Sequence, residues 1–449
     1  MATPGATLKK ESVLLERLAE ARLRTDAVFG LLTPNSFYDR PIPERHRLIF
    51  YLGHLEAFDW NLLSGPHGLR SHAPEFDKLF AFGIDPVDGG LPTDKPTDWP
   101  SIGRVEQYRR QIRERLDESL RMQDLAGSHD HYLADGTLLH VAIEHRLMHA
   151  ETLAYLLHNL QLDRKIAQPA PPADRRRSPV QRKASIPSGI ATLGQKRAAG
   201  SFGWDNEFET QQVIVPEFSI DVFPVTNGDF LQFMEDAGYE TQRFWKPEDW
   251  AWRKEHHIRQ PHFWSLSSTP AAADPEARWN YRVMFGSIPL PLSWPAYVSH
   301  AEASAYARWA GKKLPTEEQW HRAAYGTPEG RERLYPWGDE DPEPTHGNFH
   351  HQRWDATAVN EHHEGASAFG VFDLLGNGWE WTSTPFGPLP GFEPYPFYKG
   401  YSADFFDGKH FVMKGGSPRT DVSMVRRSYR NWFQPHYPYV YSSFRCVEE

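Results

Sequence analysis

His145 and His149 stand four residues apart in IEHRLMHAETL, a spacing that places two imidazoles on one helix face about one turn from each other. Two nitrogens so placed can chelate one metal ion. Leu138, Ala142, Thr152 and Leu156 continue the same stripe. The rings are therefore expected to face a bundle interior, where unpartnered imidazoles carry a desolvation cost that a metal removes. His54, in FYLGHLEAFDW, supplies a third candidate from another helix, and ligands commonly converge from facing helices of a bundle. Three neutral nitrogens with open positions suit Fe(II), Zn(II) or a related ion, and softness alone does not choose among them. The same pair spacing also arises by chance in a chain with 22 histidines, and His129, His131, His140 and His158 are read as structural. Glu144 and Glu151 flank the pair, but the residue directly after the first histidine is Arg146, which argues against a zincin protease.

The elements that must position these residues are helices. Leu14, Leu18, Ala21, Thr25 and Val28 follow one helical face, and Pro34 lies beyond its end. A second helical run covers 48–63 after the breaks at Pro41 and Pro43; Val105, Ile112, Leu116 and Ser119 mark a third; the histidine stripe is the fourth. Four helices with a long connection at 65–100 predict a four-helix bundle over residues 1–165. Residues 166–187 are rich in Pro, Ala and Arg with few apolar side chains, the composition of a solvated linker. Residues 188–449 carry short strand-like pieces at 212–215 and 411–414 among Gly, Pro, Asn and Trp clusters, with helices predicted over 299–311 and 316–325. Thr316 followed by Glu318 and Gln319 resembles an N-cap entry. The fold class is α+β, a helical bundle followed by a loop-rich domain.

Composition bounds the function. The length of 449 residues allows two or three domains. The single Cys446 permits no intramolecular disulfide and no mechanism that needs two cysteines in one chain. A net charge of −10 argues against a nucleic-acid surface. The N-terminal residues have no apolar core of signal-peptide type, and no window reaches the ~18 apolar residues of a membrane span. We expect no membrane and no nucleic-acid partner, and a cytoplasmic location. The 16 tryptophans, 18 tyrosines and 27 phenylalanines beside 33 glycines and 37 prolines describe loops pinned by large rings.

The segments LPTEEQWHRAAYG, YPWGDE, GNF, FGVFDLLGNGWEWT, KGGSPR and RRSYRNWFQPHYPYVYSSFRC resemble the formylglycine-generating-enzyme domain, a loop-rich variant of the C-type lectin fold. The N-terminal half resembles a DinB-like four-helix bundle, with His54, His145 and His149 at the positions of that group's three iron ligands. Joined in this order, the two halves resemble the non-haem iron sulfoxide synthases of ergothioneine biosynthesis and the related selenoneine synthases. True formylglycine-generating enzymes work through two cysteines, so that activity is excluded here. The resemblance implies a reaction that joins a sulfur or selenium donor to the imidazole C2 of hercynine (trimethylhistidine) with Fe(II) and O2. It implies Asn431 and Trp432, in YRNWFQP, as hercynine contacts, the indole ring taking the quaternary ammonium by cation–π attraction. It also implies Tyr398, in PFYKGYS, as a proton donor, with Tyr401 second.

Two departures concern the donor. In the branch that uses γ-glutamylcysteine, arginines in the loop after the second helix and an Asp after the Asn-Trp pair help to hold the dipeptide. Here the loop reads DPVDGGLPTDKPTDWP and Phe433 follows Trp432, so a donor with two carboxylates is poorly served. The remaining donors are a selenosugar, placed first, and free cysteine as the thiol. The family often has a hercynine-contacting Gln before the last histidine; this chain has Met148, and Gln434 is the candidate replacement. Readings from other classes are a non-catalytic ligand-binding module, against which the intact histidine triad argues, and a Zn(II)-dependent thiol transferase or hydrolase of the DinB-like group.

Overall fold

The structure is a computed structural model that describes residues 4–81, 91–122, 125–198, 201–267 and 278–448, with side chains from residue 12 onward. The loop lacking arginine thus lies partly outside the described residues. The chain divides into two compact units, Met1–Gln168 with Ala198–Phe202, and Pro169–Arg197 with Gly203–Glu449.

The first unit contains α1 (Pro4–Phe29), α2 (Leu48–Leu63), α3 (Pro74–Leu79), α4 (Ile102–Met122), α5 (His131–Ala134) and α6 (Thr137–Asn159). The four long helices are the expected bundle: α1 packs along α6, and α2 lies against α4 and α6. All residues of α2 except Phe58 and Asn61 are buried, as a helix apolar on all sides must be. The α4 helix is one-sided, burying Val105, Tyr108, Ile112, Leu116 and Leu120. The short α3 and α5 occupy connections that carry too few residues for a helical period to register. Gly136 turns the chain from α5 into α6 with φ +87, a conformation that favours glycine, and a Cβ there would lie 2.9 Å from Leu14 Cδ1. Among the described residues, no helix is long and apolar enough to cross a membrane.

The second unit contains β1 (Lys183–Ile186), β2 (Gly189–Leu193), β3 (Gln211–Val215), β4 (Phe218–Asp221), α7 (Asn227–Glu235), α8 (Pro247–Glu255), β5 (Trp264–Leu266), β6 (Trp279–Val283), β7 (Gly286–Pro289), α9 (His300–Trp309), α10 (Glu317–Tyr325), β8 (Gly378–Pro385), β9 (Phe411–Gly416), β10 (Asn431–Phe433), β11 (Ser442–Ser443) and β12 (Val447–Glu448). A four-stranded sheet runs in the order β10-β9-β8-β11, antiparallel except for the β8-β11 pair. Smaller sheets are β1-β4-β12, β2-β3 and β5-β6-β7. The predicted helices and strand pieces are present, and Thr316 closes a capping box with Gln319. The linker reading needs correction at its end: residues 183–186 form β1, paired antiparallel with β4. Upstream, Ser178 Oγ donates to the Leu292 carbonyl, and Asp174 accepts from Trp294 Nε1 and pairs with Arg176. The segment is fastened to its unit by side-chain contacts that composition does not reveal.

Much of the motif string is core. Trp379 and Trp381 are buried. Asn377 accepts from the Thr357 amide and donates to Asp373 and to the Thr357 carbonyl. Arg445 and Glu380 form a fully buried pair that also holds Trp320 Nε1.

Candidate metal centre

His54 projects from α2, and His145 and His149 from α6. All three are buried, at 4%, 1% and 0% exposure. One nitrogen from each lies within 4.8 Å of the others. The rings are 5.2 Å (54 to 145), 5.1 Å (54 to 149) and 4.5 Å (145 to 149) apart between centroids. His54 Nδ1 donates to the Phe80 carbonyl at 2.7 Å. Among the described residues, His54 Nε2 and both nitrogens of His145 and of His149 have no hydrogen-bond partner. Five orphaned nitrogens at one buried point are costly without a further group. A metal ion fits: it takes a lone pair from each ring and needs the rings neutral. Burial provides that neutrality, pushing the His54 pKa down to about 4 and those of His145 and His149 well below the ordinary imidazole range. Neighbouring positive charge, including Arg146, adds to each shift. Phe58 stacks on His145 at 3.5 Å and 10°, and Phe50 on His54 at 4.8 Å and 25°.

Arg146, which lies between His145 and His149 and which spacing marked only by what it is not, is a hub of a buried ionic network. It is fully buried, and it contacts Asp59 Oδ2 from Nε at 2.8 Å, Glu56 Oε2 at 2.5 Å and the Leu55 carbonyl at 3.1 Å. Glu56 also meets Arg113 at 2.7 Å and Arg109 at 3.6 Å, and both arginines reach Asp26 on α1. Arg22 pairs with Asp117 on α4 and lies 3.8 Å from Asp59. All four long helices are thereby joined around α2. The surrounding guanidinium groups hold the Glu56 carboxyl below its ordinary range against the opposing effect of burial, whereas burial keeps Asp59 above its own.

The C-terminal candidates gather in an aromatic cluster of the second unit. Tyr401 stacks on Trp204 at 3.9 Å; Tyr398 lies 5.5 Å from Tyr401; Trp432 meets Tyr401 edge-on at 5.5 Å. Phe386 covers one face of the Trp432 indole at 4.1 Å and 6°, and Phe405 approaches it at 5.6 Å. Burial raises the Tyr401 phenol well above its ordinary pKa, with nearby Tyr429, Asp205 and Glu207 adding to the effect. Asn431 opens β10, and its Oδ1 accepts from the Trp432 amide. Gln434 is exposed just after β10, and Met148 is half-buried on α6. Sequence reasoning missed Phe80, Phe58, Trp204 and Phe386. Only Phe58, one turn after His54 on the same helix, carried a spacing signal.

Residues 168–449 match the sulfatase-modifying factor enzyme 1-like domain and residues 17–153 the DinB superfamily. A hercynine oxygenase of Mycolicibacterium smegmatis is 34% identical, over 68% of this chain and 70% of that protein. A hercynine oxygenase of Mycobacterium tuberculosis is 37% identical, over 57% of this chain and 58% of that protein. Ergothioneine biosynthesis protein 1 of Neurospora crassa is 28% identical, over 93% of this chain and 56% of that protein. The matches thus span little more than half the length of the last two relatives.

Proposed function

The chain belongs to the hercynine oxygenase family, a DinB-superfamily bundle joined to a sulfatase-modifying factor enzyme 1-like domain, and on that premise we propose that it uses O2 and non-haem iron to form a carbon–chalcogen bond at the imidazole C2 of hercynine. The observation that carries this reading is the triad of buried, neutral imidazoles, five of whose nitrogens have no hydrogen-bond partner among the described residues. Fe(II) held by His54, His145 and His149 would supply the one-electron chemistry that O2 requires and open positions for the reactants.

The other roles fall to the chain's own side chains. Trp432 has one face occupied by Phe386 and takes the trimethylammonium group of hercynine on the other; a quaternary ammonium has no hydrogen to donate and binds best to an aromatic face. Asn431, its Oδ1 already engaged by the Trp432 amide, offers its NH2 to the hercynine carboxylate. Tyr398 donates a proton from its Oη during the oxygen chemistry. Tyr401, stacked on Trp204 and kept protonated by burial, orders the Tyr398 ring and stands second for the same role. Gln434 takes the polar contact that Met148 cannot make. The donor is a selenosugar, with free cysteine next, because Phe433 stands where the dipeptide-using branch has an acid and packs on Tyr437 at 5.2 Å.

The test is O2 uptake by purified protein supplied with ferrous iron, hercynine and a thiol or selenol. Uptake that requires both iron and hercynine supports the reading. A protein that purifies with Zn(II) and consumes no O2 with iron contradicts it.

A further inference from the structure

His54 is the triad member with one nitrogen engaged, and its partner is a backbone carbonyl, that of Phe80. A carbonyl can only accept, so this contact requires the Nδ1–H tautomer and leaves the Nε2 lone pair free. Nε2 indeed has no hydrogen-bond partner among the described residues. Phe80 caps the C-terminus of α3, and it is fully buried. Its ring lies directly against Gly53, the neighbour of His54: a Cβ at position 53 would fall 2.6 Å from three ring carbons. Real Cβ contacts of that length do not occur, so either the ring or the helix would have to move. The ring has little room to retreat, because Phe50, Phe76, Trp99 and Tyr108 surround it at 6.4, 5.8, 6.0 and 6.1 Å between centroids.

We propose that Gly53 and Phe80 form a positioning device for the metal ligand His54. The missing side chain at 53 lets the Phe80 ring seat on α2; the seated ring brings the Phe80 carbonyl to His54 Nδ1; and the hydrogen bond sets the tautomer that presents Nε2 to His145 and His149. Neither Gly53 nor Phe80 touches a reactant in this account, and each acts through His54. The purpose of the device rests on the triad being a metal site, but its mechanics do not, so the two can be tested apart.

The first measurement is ring-nitrogen NMR of the metal-free full chain labelled with 15N-histidine. Wild-type His54 is expected as the Nδ1–H tautomer, and Gly53→Ala should move it to Nε2–H. A folded Gly53→Ala protein that keeps Nδ1–H overturns the proposal. Because that substitution also alters packing, Phe80→Ala, which keeps Gly53 and removes the seated ring, should move the tautomer the same way; a folded Phe80→Ala protein that keeps Nδ1–H also counts against the device. Gly65→Ala, at a glycine with nothing among the described residues within 4 Å of its Cβ position, should leave the tautomer unchanged. The second measurement is Co(II) titration followed by visible absorption. Gly53→Ala should weaken Co(II) binding by about 10–100-fold, the usual consequence of losing the hydrogen bond behind a ligand. Equal Co(II) affinity in wild type and Gly53→Ala would overturn the claim that the device serves the metal. Wild-type protein that binds no Co(II) would refute the metal reading itself, a result distinct from an unmoved tautomer.

Discussion

Replacing Arg146 by Met removes a guanidinium that is fully buried and touches two buried carboxylates. The consequences for the two acids are unequal. Glu56 keeps Arg113 at 2.7 Å and Arg109 at 3.6 Å, so its charge remains matched. Among the described residues, Asp59 keeps only Arg22, at 3.8 Å and already paired with Asp117. The variant therefore strands one buried carboxylate, for which a loss of about 3–5 kcal/mol is expected. Adding Asp59→Asn removes the stranded charge and should recover most of that loss. The pH dependence has a definite sign. Asp59 is already raised above the ordinary carboxylate range by burial, and without Arg146 it stays folded by holding a proton that the unfolded chain releases above about pH 4. The unfolded state then binds fewer protons, so the variant loses stability relative to wild type as pH rises from 5 to 8. Urea unfolding of wild type, Arg146→Met and the double variant at both pH values measures this. A single-variant loss below about 1 kcal/mol, or a double variant no more stable than the single, would refute the reasoning.

The metal-free protein should lose stability as pH falls from 7 to 5, because the triad imidazoles stay neutral in the fold while they take protons in the unfolded chain below about pH 6.5. The slope approaches about 1.4 kcal/mol per pH unit for each ring, readable by thermal unfolding with and without His145→Ala. Trp432→Ala should cost about 0.5–2 kcal/mol in hercynine binding, measured by calorimetry, and unchanged affinity would remove the cation–π role. Tyr398→Phe should leave that affinity near normal and lower the coupling rate by about 10²–10⁴-fold; unchanged coupling would move the proton donor to Tyr401 or to water.

The His145 and His149 pair was legible because the helical period converts a separation of four residues into a shared face, and the apolar stripe fixed which way that face points. The third histidine, His54, was legible only as a candidate, since the placement of α2 against α6 is a long-range fact. What escaped the sequence is mostly interaction without a pattern. The Phe80 carbonyl is backbone, present at every residue, and only the fold shows that this one meets His54. Arg146 looked like the wrong residue in a protease motif, yet its role depends on Glu56 and Asp59 from another helix. The strand at 183–186 is four residues long and follows a proline-rich run, too short for alternation to outweigh composition. Trp432 was one ring among many until its stacking on Phe386 showed which face is taken.

The central claim is that this chain couples a chalcogen donor to hercynine in a reaction that needs its histidine-held iron and O2. The most direct test is product mass after incubation of the iron-loaded protein with hercynine and each donor in turn, with and without O2. A hercynine–donor adduct bonded at C2 is expected with O2, and none without O2 or from the His54→Ala/His145→Ala/His149→Ala protein. Hercynine recovered unchanged with every donor under O2, or an adduct formed equally by the triple variant, would contradict it.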